Sequence, residues 1–273
     1  MIVDFLYSHP IWLVGLVVIG LWTGLALMGL YIFHRLVDVE MRHKDTETVG
    51  LTYAIVAVVY AVLIAFIVVD VFETFAKGDE IATAEANKIS NLMLDSVGLP
   101  PPMAEAVRGD LDKYIDVVVK SEWPSQQVGK LGEAVFEPGW TILAHLSTRL
   151  AVFEPVTMGQ NVNKGEMLRA MNDLIKARRS RILAAGEHLP GIVWQILLLA
   201  GAVAVGYTYL FGAHSFRIHM AITGLIAATI SLVFVLIIAL DYPFRGEVSV
   251  GDDAFISIKA TASGAIAQTE GKP

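Results

Sequence analysis

The sequence predicts an all-α polytopic membrane protein. It should have four transmembrane helices in two hairpins, with a helical cytoplasmic domain between the second and third spans. Three observations lead there. Of 273 residues, 55% are hydrophobic and only 17% are charged. Four stretches, Phe5–His34, Thr48–Val69, His188–Phe216 and Ile218–Leu240, hold no Asp, Glu, Lys or Arg. Each exceeds the roughly 20 apolar residues that cross a bilayer as a helix. Between the second and third stretches lie about 120 residues of mixed charge, enough for a compact domain.

The spans read as Pro10–Phe33, Val49–Val69, Pro190–Ala213 and Ile218–Leu240. In hydrocarbon the backbone must satisfy its own polar groups, so these are helices. Trp12, Tyr31, Trp194 and Tyr242 sit near span ends as interfacial anchors, whereas Trp22 falls mid-span. The connections His34–Thr48 and His214–Arg217 are short, so each pair reads as an antiparallel hairpin. The chain then divides into a first hairpin at 1–69, a helical domain at 70–189, a second hairpin at 190–240 and a tail at 241–273. Asp4 stands where a cleaved leader would carry basic residues, so the first span reads as retained. Lys and Arg near span ends number eight on the side of the termini and domain against four opposite, which places that side in the cytoplasm.

The domain has helical periodicity. Val107, Leu111, Tyr114 and Val118 form one stripe, Ile142, Leu146 and Leu150 a second, and Leu168, Met171, Ile175 and Ile182 a third. Breaks fall at Pro100-Pro101-Pro102, Trp123-Pro124, Pro138-Gly139 and Pro155 through Asn163. Only Gly78 interrupts Val49–Val97, so the second span reads as running on into the domain. Asn163–Phe211 reads as another long helix, interrupted at Pro190. After Gly246 a capping box from Ser249 to Asp252 opens the tail.

The composition excludes several classes of function. There is no cysteine, which removes disulfides, thiolate catalysis and cysteine-bound metals. The net charge of −7 offers no basic footprint for nucleic acid. No phosphate loop, nucleophile elbow or metal spacing occurs, so neither an enzyme nor a cofactor is expected. The partners expected are membrane lipid, ions and further copies of the chain.

Asp70 and Glu73 follow directly on the second span and share a helix face. If copies of this helix surround an axis, they form a carboxylate ring that concentrates cations, with Ile64, Phe66 and Ile67 as an apolar constriction beside it. Otherwise they mark the end of the span in water. Gly20 and Gly24 in the first span and Ala57, Ala61 and Ala65 in the second have helix-packing spacing, first within one subunit and second between subunits. Lys176, Arg178, Arg179 and Arg181 read as headgroup-binding or topology-setting cations. Asp241 and Tyr242-Pro243-Phe244-Arg245-Gly246 read as a helix stop. His34, His43, His214 and His219 face one side as a possible proton-sensitive cluster.

Several segments also carry a resemblance. They are Asp70-Val71-Phe72-Glu73, Glu85-Ala86-Asn87, Leu99-Pro100, Tyr114 through Glu122-Trp123-Pro124, Arg178 through Arg181, Leu189-Pro190 with Trp194, and Asp241 through Gly246. Together, over roughly Gly29 to Phe255, they resemble the bestrophin-like family of bacterial membrane proteins, a family defined by a domain of unknown function. The resemblance implies a bacterial inner-membrane protein. True bestrophins are pentameric anion channels with four spans per subunit, which implies a homo-oligomer with the second span lining the pore. This sequence departs from them in lacking a proline-containing pore neck in the second span. Asp252-Asp253 is its nearest counterpart to their acidic calcium clasp. Two functions follow: a homo-oligomeric ion channel, or a non-conducting membrane scaffold or regulator whose helical domain binds a partner. A transporter is disfavoured, since no span is broken at its middle and none carries a deep charge.

Overall fold

The computed structural model describes residues 2–38, 42, 46–213 and 215–260. His43 and His214, two members of the expected histidine cluster, lie outside them. Every regular element among the described residues is helical: α1 (Ile2–Ser8), α2 (Ile11–Leu36), α3 (Thr46–Asp95), α4 (Pro101–Val117), α5 (Trp123–Gln127), α6 (Glu133–Val152), α7 (Met158–Ala184), α8 (Gly191–Thr208) and α9 (Phe216–Asp241). A 3₁₀ turn at Ser96–Gly98 precedes α4, and a π turn at Val118–Glu122 joins α4 to α5. Four helices are long and apolar enough to cross a membrane: α2, α3, α8 and α9. The chain forms two compact units. One comprises Met1–Thr74 and His188–Asp241, the other Phe75–Glu187 and Tyr242–Pro273.

In the first unit, α2 packs most extensively on α9. The two run antiparallel: the Tyr7 hydroxyl donates to the Ile238 carbonyl (2.8 Å), Gly15 lies under Val235, and Gly224 meets Thr23 and Leu27. Helix α8 completes the group through Thr208, whose hydroxyl lies 3.1 Å from that of Thr223. Helix α3 leans on α8, with the Tyr60 hydroxyl donating to the Leu197 carbonyl (3.4 Å) and Tyr53 edge-on to Phe211. Tyr60, Ile67, Val71, Leu197, Ala204, Phe234 and Ile237 form the shared core. Trp22, mid-span in the sequence, packs edge-on against Phe234 at 5.0 Å rather than anchoring at an interface.

Close approach falls on glycines other than those the spacing singled out. A Cβ at Gly201 would stand 2.7 Å from the Tyr60 hydroxyl, 3.2 Å from Phe234 and 3.3 Å from Trp22. Gly29 accommodates the Tyr209 hydroxyl in the same way. Gly20 and Gly24 have nothing within 4 Å of an added Cβ, and Ala61 and Ala65 are exposed, with Ala57 half-buried. Packing inside the subunit, the first reading of their spacing, does not explain Gly20, Gly24, Ala61 or Ala65.

In the second unit the stripe Val107, Leu111, Tyr114 and Val118 is wholly buried. The third stripe is rotated by one position from the expected one: Met167, Met171, Leu174, Arg178 and Arg181 form its buried line. Pro101 and Pro102 open α4, where missing donors cost nothing. A capping box of Thr157 and Gln160 opens α7. Two expected breaks do not occur: the chain winds through Trp123-Pro124 by way of the π turn, and α6 continues through Pro138-Gly139. The interruption expected at Pro190 within Asn163–Phe211 is present and wider than one residue: α7 ends at Ala184 and α8 starts at Gly191, directly after Pro190.

The residues after Asp241 belong to this domain. Phe244 and Phe255 pack edge-on against Trp123, whose indole N–H donates to the Val250 carbonyl (3.2 Å). Buried Gly78 lets Pro243 approach to 3.0 Å from where a Cβ would be, so the glycine inside α3 serves contact rather than a break. Gly246 adopts φ +89° and donates its N–H to the Gln127 carbonyl, a conformation that favours glycine. The helical stretch at 253–260 starts with Phe255 and Ile256 donating to the Asp252 carbonyl, so Asp252 takes the place expected of Ser249. Lys259 pairs with Asp116 and holds its carboxyl below the usual range.

Gly201→Val should destabilise the purified protein by roughly 1–3 kcal/mol through overpacking. Gly24→Ala should stay within about 0.5 kcal/mol of the parent. Thermal unfolding in detergent distinguishes the two.

Candidate functional site

Helix α3 presents two faces within the first unit. Tyr60, Ile67 and Val71 are buried on one side, with Ile64 packed beside them. Leu51, Ile55, Val58, Val62, Phe66 and Val69 are exposed on the other, followed by Asp70 and Glu73. Val62, Val69 and Glu73 recur at seven and four residues and so share a stripe. The five residues expected at a pore therefore divide. Phe66, Asp70 and Glu73 look outward, while Ile67, 8% exposed, belongs to the subunit's own core with Ile64 against it. Ile64 and Ile67 lie in a core cluster with Phe234 and Leu197, whereas Val62 and Val69 are exposed on the opposite side of the helix.

A second constellation closes this unit. The Asp241 carboxylate, 5% exposed, accepts from the Leu189 N–H (2.6 Å) and from the Trp194 indole N–H (3.1 Å). The last residue of α9 thus holds the chain entering α8. A negative charge at a helix N-terminus is also favoured by the helix dipole.

The third lies inside the helical domain. Arg178 donates to both Glu122 oxygens (2.7 and 3.0 Å), to the Tyr114 hydroxyl (2.9 Å) and to the Phe136 carbonyl (2.8 Å). Arg181 donates to Glu85 Oε2 (2.7 Å), to Glu122 Oε2 (2.8 Å) and to Gln126 Oε1 (3.2 Å). The Tyr114 hydroxyl donates to Glu85. Both arginines and both glutamates have no exposed surface. Trp140 lies 4.8 Å from the Arg178 guanidinium carbon and Trp123 lies 5.4 Å from that of Arg181, adding cation–π contact. Two cations face two anions, so the cluster is neutral as a whole. Burial disfavours charge on the arginines, yet Tyr114 and Glu122 beside Arg178, and Glu85, Tyr114 and Glu122 beside Arg181, reverse this and hold both above their ordinary value. Burial, with Glu85 beside it, pushes the Tyr114 phenol well up.

Local structure is shaped to this cluster. The π turn at Val118–Glu122 directs Glu122 inward, as π turns at functional sites often re-aim a side chain. Gly139 leaves room, since a Cβ there would stand 2.5 Å from both Arg178 Nη2 and Glu122 Oε1. Among the described residues no group of three or more His, Asp or Glu is placed to hold a metal ion.

The family model of the bestrophin-like domain matches residues 13–255. The chain belongs to the bestrophin-like family. Crystal structures of a bacterial bestrophin homologue from Klebsiella pneumoniae, in two mutant forms, superpose on this bestrophin-like chain with a TM-score of 0.65. Each has 13% sequence identity, covering 90% of this chain and 98% of the homologue. A crystal structure described only as a membrane protein is equally similar, with TM-score 0.65, 13% identity, and coverage of 90% of this chain and 97% of that one. No curated protein sequence matches the bestrophin-like chain. The structural likeness, at this identity, establishes the fold.

Most of the segments that carried the family resemblance contribute to these two clusters. Glu85, Tyr114, Glu122, Arg178 and Arg181 build the buried one, and Leu189, Trp194 and Asp241 build the other. Arg178 and Arg181 are therefore corrected: with no exposed surface they do not reach a lipid headgroup, whereas Lys176 and Arg179 on the same helix are exposed.

Breaking a buried ion pair from one side costs about 3–5 kcal/mol. Glu122→Gln should therefore destabilise the domain by about that amount, while Lys176→Ala and Arg179→Ala stay within about 0.5 kcal/mol. Denaturant unfolding followed by far-UV circular dichroism reads both.

Proposed function

We propose that this chain is the subunit of a homo-oligomeric ion channel whose copies surround an axial pore lined by α3. The observation that carries this reading is the division of α3 between a face satisfied by its own subunit and a face left open. On the open side Val58, Val62, Phe66 and Val69 lead to Asp70 and Glu73, both exposed. Valines facing one another around a narrow axis exclude water. A ring of carboxylates beyond them concentrates cations and repels anions. Cation preference is therefore expected, with Asp70 and Glu73 at the mouth and Val62, Phe66 and Val69 at the constriction.

Assembly also accounts for the open small residues. A Cβ at Gly20 or Gly24 would meet nothing within 4 Å, Ala61 and Ala65 are exposed, and small residues let helices of adjacent subunits approach. A pentamer in a bacterial inner membrane, with termini and helical domain in the cytoplasm, is the arrangement we propose from the sequence. The alternative of a scaffold whose helical domain binds a partner gains no docking surface from the Val107–Val118 stripe, which is committed to the domain core.

The test is reconstitution with ion gradients. Liposomes holding the purified protein should pass monovalent cations, and the doubly neutralised protein, Asp70→Asn with Glu73→Gln, should lower the cation-to-anion permeability ratio severalfold. Particle averaging should place α3 on the symmetry axis. A monomer in detergent without flux for either sign of ion would overturn the reading.

A further inference from the structure

The helical domain carries an apolar surface that its own packing leaves open. Among the described residues of this domain, six of the eleven exposed large apolar side chains gather at one end. They are Leu94 in the last turn of α3, Val97 in the 3₁₀ turn, Val152 at the end of α6, Val156 in the connection that follows, and Met158 and Val162 at the start of α7. Hydrogen bonds bring these elements together. Asn163 donates to the Asp95 carbonyl (3.1 Å), and its amide nitrogen lies 2.5 Å from where a Cβ on Gly98 would be. The Lys164 ammonium donates to the Ala151 (2.9 Å) and Phe153 (2.6 Å) carbonyls, and the Val156 N–H donates to Gln160 Oε1 (2.8 Å). The end of α3, the end of α6 and the start of α7 thus form one platform. It lies roughly 30 Å along α3 from Phe75, where the chain enters the domain.

We infer that this platform is a contact between copies of the chain, in which the six side chains of one copy pack against the same end of its neighbours. The inference rests on the homo-oligomer proposed above and adds a place where the copies hold one another. The area fits this occupant. At 61–90% exposure the six residues leave roughly 700 Å² open, above the ~300–600 Å² of the largest patch on an ordinary monomer and close to the ~800 Å² that each partner buries in a standard interface.

The chemistry of the surface fits it too. Four of the six residues are valines, stiff at χ1, so ordering them in a contact costs little side-chain entropy. The ammonium of Lys164 is spent on its own subunit's carbonyls, and exposed Glu154 supplies a polar rim. An uncharged apolar face is complementary to itself, and symmetric copies present it repeatedly at the same level.

The chain has no cysteine, so Met158→Cys carries a single spin label in full-length protein in nanodiscs. The label should be at least about threefold less accessible to a water-soluble paramagnetic reagent than in the same protein carrying Val97→Asp with Val162→Asp, since the middle of an interface excludes water. Both aspartates replace exposed side chains, so the far-UV circular dichroism and Tm of the variant should match the parent. Dipolar coupling between copies should broaden the label's spectrum. Co-assembly with excess cysteine-free chain should sharpen the spectrum while the protection stays. A label as accessible in the parent as in the aspartate variant, or protection that persists in that variant, overturns the inference. Protection without broadening also overturns it, because a different kind of molecule then covers the platform. A particle holding one copy removes the proposed channel as well, whereas an oligomer with an accessible Met158→Cys label removes this contact alone.

Discussion

Two guanidinium groups sealed from solvent demand two carboxylates to balance them, and the helical domain is organised around supplying those carboxylates. Arg178 and Arg181 lie on adjacent turns of α7, so their partners must come from other elements. Glu85 comes from α3, Tyr114 from α4 and Glu122 from the π turn. The extra residue in that turn, the missing side chain at Gly139 and the backbone carbonyl of Phe136 all serve the same few cubic ångströms. An apolar core of equal volume would be as stable or more so, since desolvating ions offsets most of their attraction. What the ions provide is uniqueness of register. A helix sliding by one turn would leave a bare charge inside.

Much of the fold was legible because lipid makes the signal crude. Runs without charge mark the spans, and prolines at 100–102 and 190 mark helix starts. The cluster was harder to read. Hydropathy counts every arginine as surface, so the buried line of α7 was traced through Leu168, Ile175 and Ile182 rather than through Met167, Leu174, Arg178 and Arg181. The spacing 167, 171, 174, 178, 181 is as regular as any apolar stripe. Continuing the pattern across the arginines was the available signal. Proline and glycine misled for a related reason: at Pro138-Gly139 the residues serve a tertiary approach, which local propensity cannot express.

On α3 the sequence located Asp70 and Glu73 at the right level but not the helix face. An unbroken apolar run has no visible inside and outside, so Ile64 and Ile67 looked equivalent to Val62 and Val69. Only the side chains of the neighbouring helices, Leu197 and Phe234 above all, decide which side is covered. Glycine spacing failed for the same reason, since Gly20 and Gly24 have the pattern and Gly201 has the contact.

The shortest of the four membrane helices has a consequence for the surrounding lipid. Helix α8 has 18 residues, whereas α2 and α9 have 26 each. At 1.5 Å per residue that is about 27 Å against about 39 Å. The first is slightly less than a typical hydrocarbon thickness of roughly 30 Å and the second exceeds it. Helices of unequal reach inside one unit cannot all match a flat bilayer. The longer pair must tilt or emerge, and the membrane beside α8 must thin. Acyl chain length thereby becomes part of the protein's energetics, shorter lipids relieving the mismatch at α8 while increasing the tilt asked of α2 and α9.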